Sequence, residues 1–187
     1  MIKVDRIIET SDSYEKMGLH VLISSDQKRY SSVFSALTKL GFYSVFLYRL
    51  SHNFSKKNYT NIARIIQLLN HLITGAEISH QAKIGPNFAI LHCSAVLIGP
   101  NVRIGKTSTI CQSVSISTNR DVEERAPVIG DNFWAGPGAV IMGSIVLGNE
   151  VWVGPNSVLM KSVDSDMMVV GNPAKVIKKE VFSKILS

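Results

Sequence analysis

The stretch GAEISHQAKIGPNFAILHCSAVLIGP, Gly75 to Pro100, decides the fold. Isoleucine recurs every six residues at Ile78, Ile84 and Ile90, and then the rhythm slips. The next matching residue is Ile98, two places late, and His92 lies inside the slip. Downstream, Ile98, Ile104, Ile110 and Ile116 keep step, STNRDVEERAP interrupts, and Ile129, Ala135, Ile141, Leu147, Val153 and Leu159 resume. Glycine follows the aliphatic at Gly85, Gly99, Gly105, Gly130, Gly136, Gly148 and Gly154.

A period of six suits neither a helix, which turns every 3.6 residues, nor a plain strand, which alternates every two. It suits short flat strands with a corner after each. The aliphatic points inward, and glycine or asparagine takes the left-handed backbone conformation at the corner. Three such units make one triangular coil of eighteen residues, and coils bury their aliphatics only against one another. The expected fold is all-β, a left-handed parallel β-helix over residues 75–170 with an excursion loop at 117–127. Residues 171–187 leave the pattern as a short C-terminal tail along or beyond the last coil.

Residues 1–74 read as an N-terminal α-helical cap. Phe34, Leu37, Leu40, Val45, Leu47 and Leu50 recur at three- and four-residue spacings, as do Ile62, Ile65, Ile66, Leu69 and Leu72. Gly41 and the polar HNFSKKN are the expected breaks. Both apolar faces need a partner surface.

The chain has 187 residues, 45% hydrophobic and 18% charged, a composition that excludes a disordered tail. No run is long and apolar enough to span a membrane. The first residues are too charged for a signal peptide, so a cytoplasmic protein is expected. Cys93 and Cys111 make no disulfide framework and read as buried thiols. The net charge of +6 suits an anionic partner, such as a phosphorylated cofactor. No aromatic-plus-basic motif supports nucleic acid, and charge alone speaks for an acidic membrane surface.

The repeat, together with VVGNPAKVIKK, resembles the hexapeptide acyltransferases, and most of all serine acetyltransferase. The resemblance runs from about Asp26 to Lys178, through GFYSVFLYRLSH, GAEISHQAKIG, LHCSAVLIG, ERAPVIGDN and GNPAKVI. It implies transfer of an acetyl group from acetyl-CoA, no metal, and a homotrimer with sites between subunits. It places the general base on His92. The acid that orients the base falls on Glu77, where the family has aspartate, at the family's spacing of fifteen. It places substrate contacts on Asp26 and on Arg125, which would hold a carboxylate. Two positions depart: Leu91 replaces an aspartate and Ala126 a histidine, both of the serine pocket. The family's pantetheine arm runs past Gly136, Pro137, Gly154 and Pro155, and Lys161, Lys175 and Lys178 could meet the phosphates.

The residues themselves fit this chemistry. A thioester is already activated, so a base that takes the acceptor hydroxyl's proton suffices, and imidazole titrates near the working pH. A carboxylate on the second ring nitrogen fixes the tautomer and stabilises the imidazolium. His20, His52, His71 and His80 read as surface histidines, His80 solvated in a corner. Trp134 and Trp152, eighteen apart, are expected to stack, on a subunit interface or in the core more than on the cofactor.

With two polar groups of an amino-acid pocket replaced, the acceptor expected first is a sugar hydroxyl of a surface-glycan precursor, in polysaccharide biosynthesis. L-serine, in cysteine biosynthesis, is the alternative. A non-catalytic β-helix scaffold is the remote one.

Overall fold

The structure, a computed structural model, describes residues 4–118 and 126–178. Five helices come first: α1 (Val4–Tyr14), α2 (Leu19–Gln27), α3 (Val33–Leu37), α4 (Leu40–Lys56) and α5 (Thr60–Thr74). The Ser32 side chain caps α3 by accepting from the Ser35 N–H. Helix α5 ends at Gly75, whose φ of +74° permits a left-handed C-cap. No described helix is long and apolar enough to cross a membrane.

From Gly75 onward the chain is a parallel β-helix with three faces. The first sheet stacks β1 (Glu77–Ile78), β4 (Leu97–Ile98), β7 (Ser115–Ser117), β10 (Val140–Met142) and β13 (Val158–Leu159). The second stacks β2 (Lys83–Ile84), β5 (Arg103–Ile104), β8 (Val128–Ile129) and β11 (Val146–Leu147). The third stacks β3 (Ala89–Ile90), β6 (Thr109–Ile110), β9 (Trp134–Ala135), β12 (Trp152–Val153), β14 (Met167–Val170) and β15 (Lys175–Lys178). Every aliphatic of the six-residue beat points inward, and none is more than 4% exposed from Ile78 to Leu159. Fully burying such a side chain contributes about 1.5–3 kcal/mol, which each coil gains only from its neighbours.

Strand register measures the slips. Leu97 pairs with Glu77, twenty positions earlier, whereas Ser115 pairs with Leu97, eighteen earlier. The two extra residues lie at 91–96, as the broken rhythm implies. A second slip runs the other way: Met168 pairs with Trp152, sixteen earlier, and Val163 bridges Leu147. The tail is more regular than the sequence suggests. Strand β15 turns back antiparallel on β14 and closes the third sheet.

The glycines work differently from the expectation. The left-handed corners are held by residues such as Asn87, Asn101, Thr107 and Asn132, with φ between 57° and 63°. The glycine after each aliphatic instead allows coils to approach. A Cβ on Gly105 would lie 2.6 Å from the Asp131 nitrogen in the next coil. Gly41 is no break either. It sits in the first turn of α4, where a Cβ would fall 2.0 Å from the Ile90 carbonyl oxygen.

That contact seats the helices on the first coil, whose backbone has no preceding coil to bond. Side chains supply the partners. Tyr48 donates to the Ala82 carbonyl and accepts from the Ile84 N–H. Arg49 donates to the Ile84 and Gly85 carbonyls. Ser25 accepts from Asn87 N–H and Asp26 from Phe88 N–H. Unpaired backbone groups at an edge are costly when buried, so these six bonds explain why buried polar side chains line the helical layer.

Candidate active site

Three corners meet at each turn of the coil, and one set forms a continuous edge between the third and first sheets. The Ser113 N–H donates to the Ser94 carbonyl, Gly138 to Gln112, and Asn156 to Pro137. The Gly171 N–H then reaches the Ser157 hydroxyl. Four stacking steps, each about 4.8 Å, thus run roughly 19 Å from the corner holding His92 to the β14–β15 turn.

The structure brings Glu77 and His92 to the same end of this edge. The Glu77 N–H donates to the Val96 carbonyl at 2.8 Å, and the Ala95 N–H to the Gly75 carbonyl at 3.0 Å. The corner that carries His92 is therefore bonded to the segment that carries Glu77. Both side chains are exposed. Among the described residues no hydrogen bond joins them, so the edge supplies proximity and not a formed pair. The two-residue insertion is what widens this corner. Ala95 takes φ +56° within it, and Leu91 stands 51% exposed beside His92.

Other sequence-predicted residues divide. Pro137 and Pro155 occupy successive corners of the same edge. Gly136 and Gly154 lie there too, but buried against the next coil: a Cβ on Gly136 would meet the Pro155 nitrogen at 2.9 Å. Their smallness serves coil stacking. Lys161 and Lys175 are exposed near the end of the stack, while Arg125 and the Lys178 side chain lie outside the described residues. Trp134 and Trp152 are in ring contact, centroids 5.8 Å apart and planes tilted by 41°, and Trp152 is 41% exposed, so the pair does not lie in the core. Cys93 and Cys111 are each 5% exposed, buried thiols as expected, and burial raises both above the ordinary thiol value.

Four expectations need correction. Asp26 is not open to a substrate: it is 2% exposed, and its carboxylate is taken up by Arg49 and the Phe88 N–H. Ala126 is 8% exposed and belongs to the hydrophobic core. His80 is not solvated. It is 7% exposed, with Nδ1 2.8 Å from the Gln67 side-chain oxygen. Burial pushes its imidazole below the ordinary value, and the charges of Arg64 and His52 push the same way. His52 is likewise half-buried, with one ring nitrogen on the His80 carbonyl and the other on Glu15.

One residue on the edge had no signal of its own. Gln112 sits in the corner between those of His92 and Pro137, and its side-chain oxygen is buried with no hydrogen-bond partner among the described residues. Buried polar atoms are nearly always bonded, so this acceptor suits an amide N–H of a bound group. A glutamine in a repeat corner reads as solvated. Only its place among the small residues usual there could have marked it.

Residues 126–163 match the family described as bacterial transferase hexapeptide, six repeats. The chain is similar to the serine acetyltransferase of Bacillus pumilus, 32% identical over 131 residues, covering 70% of this chain and 60% of that protein. It is similar to the serine acetyltransferase of Helicobacter pylori, 36% identical over 106 residues, covering 56% and 62%. The chain thus spans less than two thirds of the length of either relative. Among solved structures it is similar to the serine acetyltransferase of Brucella abortus in complex with coenzyme A. That match has a TM-score of 0.79 and 24% identity, over 93% of this chain and 71% of that one. The chain carries the hexapeptide repeat of bacterial transferases, and its likeness in sequence and in fold is to serine acetyltransferases.

Proposed function

We propose that this chain is an acetyl-CoA-dependent O-acetyltransferase acting on L-serine, with His92 as general base and Glu77 as the acid that orients it. The observation that carries the reading is the single edge. It holds His92 and Glu77 at one end, the orphaned oxygen of Gln112 next, then Pro137 and Pro155, with exposed Lys175 following the turn at the far end. Its length of roughly 19 Å suits an extended pantetheine arm with phosphates at the lysine end. Acetyl-CoA, when bound, supplies an activated acyl carbon. The coils wind left-handed in this reading.

His92 takes the proton of the acceptor hydroxyl as its oxygen attacks that carbon. The carbon–sulfur bond breaks in the collapse that follows, and the imidazolium returns the proton to the departing sulfur. Glu77 stabilises the imidazolium between these steps. Three chains assemble in this reading, and the exposed stripe of Ile65, Leu69 and Leu72 on α5 supports an oligomer.

The likeness to serine acetyltransferases moves the preference from a sugar acceptor to serine. A sugar hydroxyl stays as second reading on one observation: Leu91, exposed beside His92, offers no charge where a zwitterion would be held. Thiol release from acetyl-CoA, measured with L-serine against sugars and sugar nucleotides, separates them. Efficient turnover of serine is expected. Turnover confined to a sugar would replace the serine reading, and release with neither would remove the acetyltransferase.

A further inference from the structure

Away from the edge that holds His92, the corner between the second and third sheets meets the end of α2. Pro86 of the first coil and Lys106 of the second line a concavity of about 610 Å³ there, together with Lys28 and Arg29, which follow α2. That volume is in the range of small-molecule sites, about 300–1,000 Å³. The Asn87 N–H donates to the Ser25 hydroxyl at 3.0 Å and ties α2 to the corner. Arg29 is held by one bond to the Thr109 hydroxyl at 2.6 Å, which leaves most of the five donors of a guanidinium unused.

Three cations converge here with little to compensate them. Among the described residues no acidic side chain lines the concavity, and no ion pair engages Lys28 or Arg29. Lys106 lies 3.8 Å from Asp131, but its side chain is 52% exposed and such a contact contributes little. Asp131 also accepts from the Lys106 N–H and the Tyr14 hydroxyl. Asp26, two residues before Lys28, is buried and paired with Arg49. The C-terminus of α2 brings about half a negative charge against three positive ones, and its last carbonyls already accept from the N–H groups of Lys28, Arg29 and Tyr30.

We propose that this concavity is an anion site separate from the acetyl-transfer edge, and that it holds a small molecule carrying a diphosphate. Lys28, Lys106 and the unused donors of Arg29 meet the phosphate oxygens. Charge-assisted hydrogen bonds of this kind are about twice as strong as neutral ones, and the guanidinium fork matches two oxygens of one phosphate. Two linked phosphates engage cations from both the helix and the coil. Met17 and Pro86 offer apolar surface to the rest of the molecule. Coenzyme A also carries a diphosphate, so a free nucleotide and the cofactor are separated by the probes.

The test is isothermal titration of the full chain with inorganic pyrophosphate and with ADP, in saturating coenzyme A so that the cofactor's own site is filled. Adenosine, the uncharged control, should not bind. Lys28→Ala and Lys106→Ala in one chain are expected to weaken pyrophosphate and ADP at least about tenfold. Lys39→Ala removes one charge at the start of α4 and should change either affinity by less than about twofold. Coenzyme A, titrated alone, should bind the double variant as it binds the unaltered protein. Lys28 and Lys106 are exposed, and an unchanged melting temperature verifies the fold. Failure of both pyrophosphate and ADP to bind the unaltered chain would overturn the site, as would equal binding to the double variant. An equal loss in Lys39→Ala would reduce it to attraction by net charge, and a parallel loss of coenzyme A would give the concavity to the cofactor; either result also overturns it. None of these readouts needs acetyl transfer, so turnover decides the acceptor and titration decides this site.

Discussion

The Arg49 guanidinium lies 2.8 Å from the Asp26 carboxylate, and this pair, 2% exposed on both sides, closes the open edge of the first coil. Arg49 spends its other donors on the Ile84 and Gly85 carbonyls, and Asp26 accepts from Phe88 N–H. An open sheet edge invites unwanted pairing, and a solenoid has one at each end. Here β15 pairs onto the last strand of the third sheet at one end, and side chains of the helical layer meet the backbone at the other.

Removing one partner should therefore be severe. Asp26→Ala leaves a buried guanidinium without its counter-charge, a change that costs about 3–5 kcal/mol. At about 2–4 °C per kcal/mol for a chain of this size, the melting temperature should fall by roughly 6–20 °C. A variant that melts like the unaltered protein but binds acceptor poorly would restore Asp26 to the substrate and refute the edge role.

Gly41→Ala tests the seating of α4. In an unconstrained helix that change stabilises, by about 0.5–1 kcal/mol. At Gly41 the new methyl would fall 2.0 Å from the Ile90 oxygen, and the strain of such overpacking is typically about 1–3 kcal/mol. The sign is the result to read. A lower urea midpoint is expected, and a raised one would mean that α4 does not approach β3 this closely.

The repeat was legible because a six-residue aliphatic beat has one structural solution. The first slip showed itself at Ile98, since a full run in step followed it. The second did not. After Leu159 the beat shortens to Val163 and Val169, too near the end of the pattern for a new rhythm to establish itself. What a corner residue faces was not legible either. His80 and Asp26 are polar residues whose burial depends on which helix lies over the first coil, and no local periodicity encodes that. The pairing of His92 with Glu77, which the family resemblance implied, led to one edge of one corner, but not to a bond.

Stability should depend on pH through His80. Burial lowers the folded-state value of its imidazole below the ordinary 6.5, with Arg64 and His52 contributing. The unfolded chain, titrating near 6.5, then binds a proton before the folded chain does. Stability from this group is full above about pH 6.5 and declines as pH falls toward the folded value. Thermal melts between pH 5 and 8 should show that slope. His80→Gln should flatten it, and a variant with an unchanged slope would move the effect to another group.

The base assignment can be separated from binding because the reporter and the chemistry sit on one edge. The chain has two tryptophans, Trp134 and Trp152, in tilted ring contact, and a Cβ on Gly136 would lie 3.0 Å from the Trp134 ring. Coenzyme A bound along the corners of Pro137 and Pro155 should change tryptophan emission. His92→Ala is expected to keep that titration and lose turnover by about 10²–10⁴-fold, the usual worth of general-base catalysis. Glu77→Gln should lose less, because the imidazole remains and only its orientation and charge stabilisation suffer. Turnover that survives in His92→Ala would remove the histidine from the reaction. Emission that ignores coenzyme A in the unaltered chain would move the cofactor off this edge.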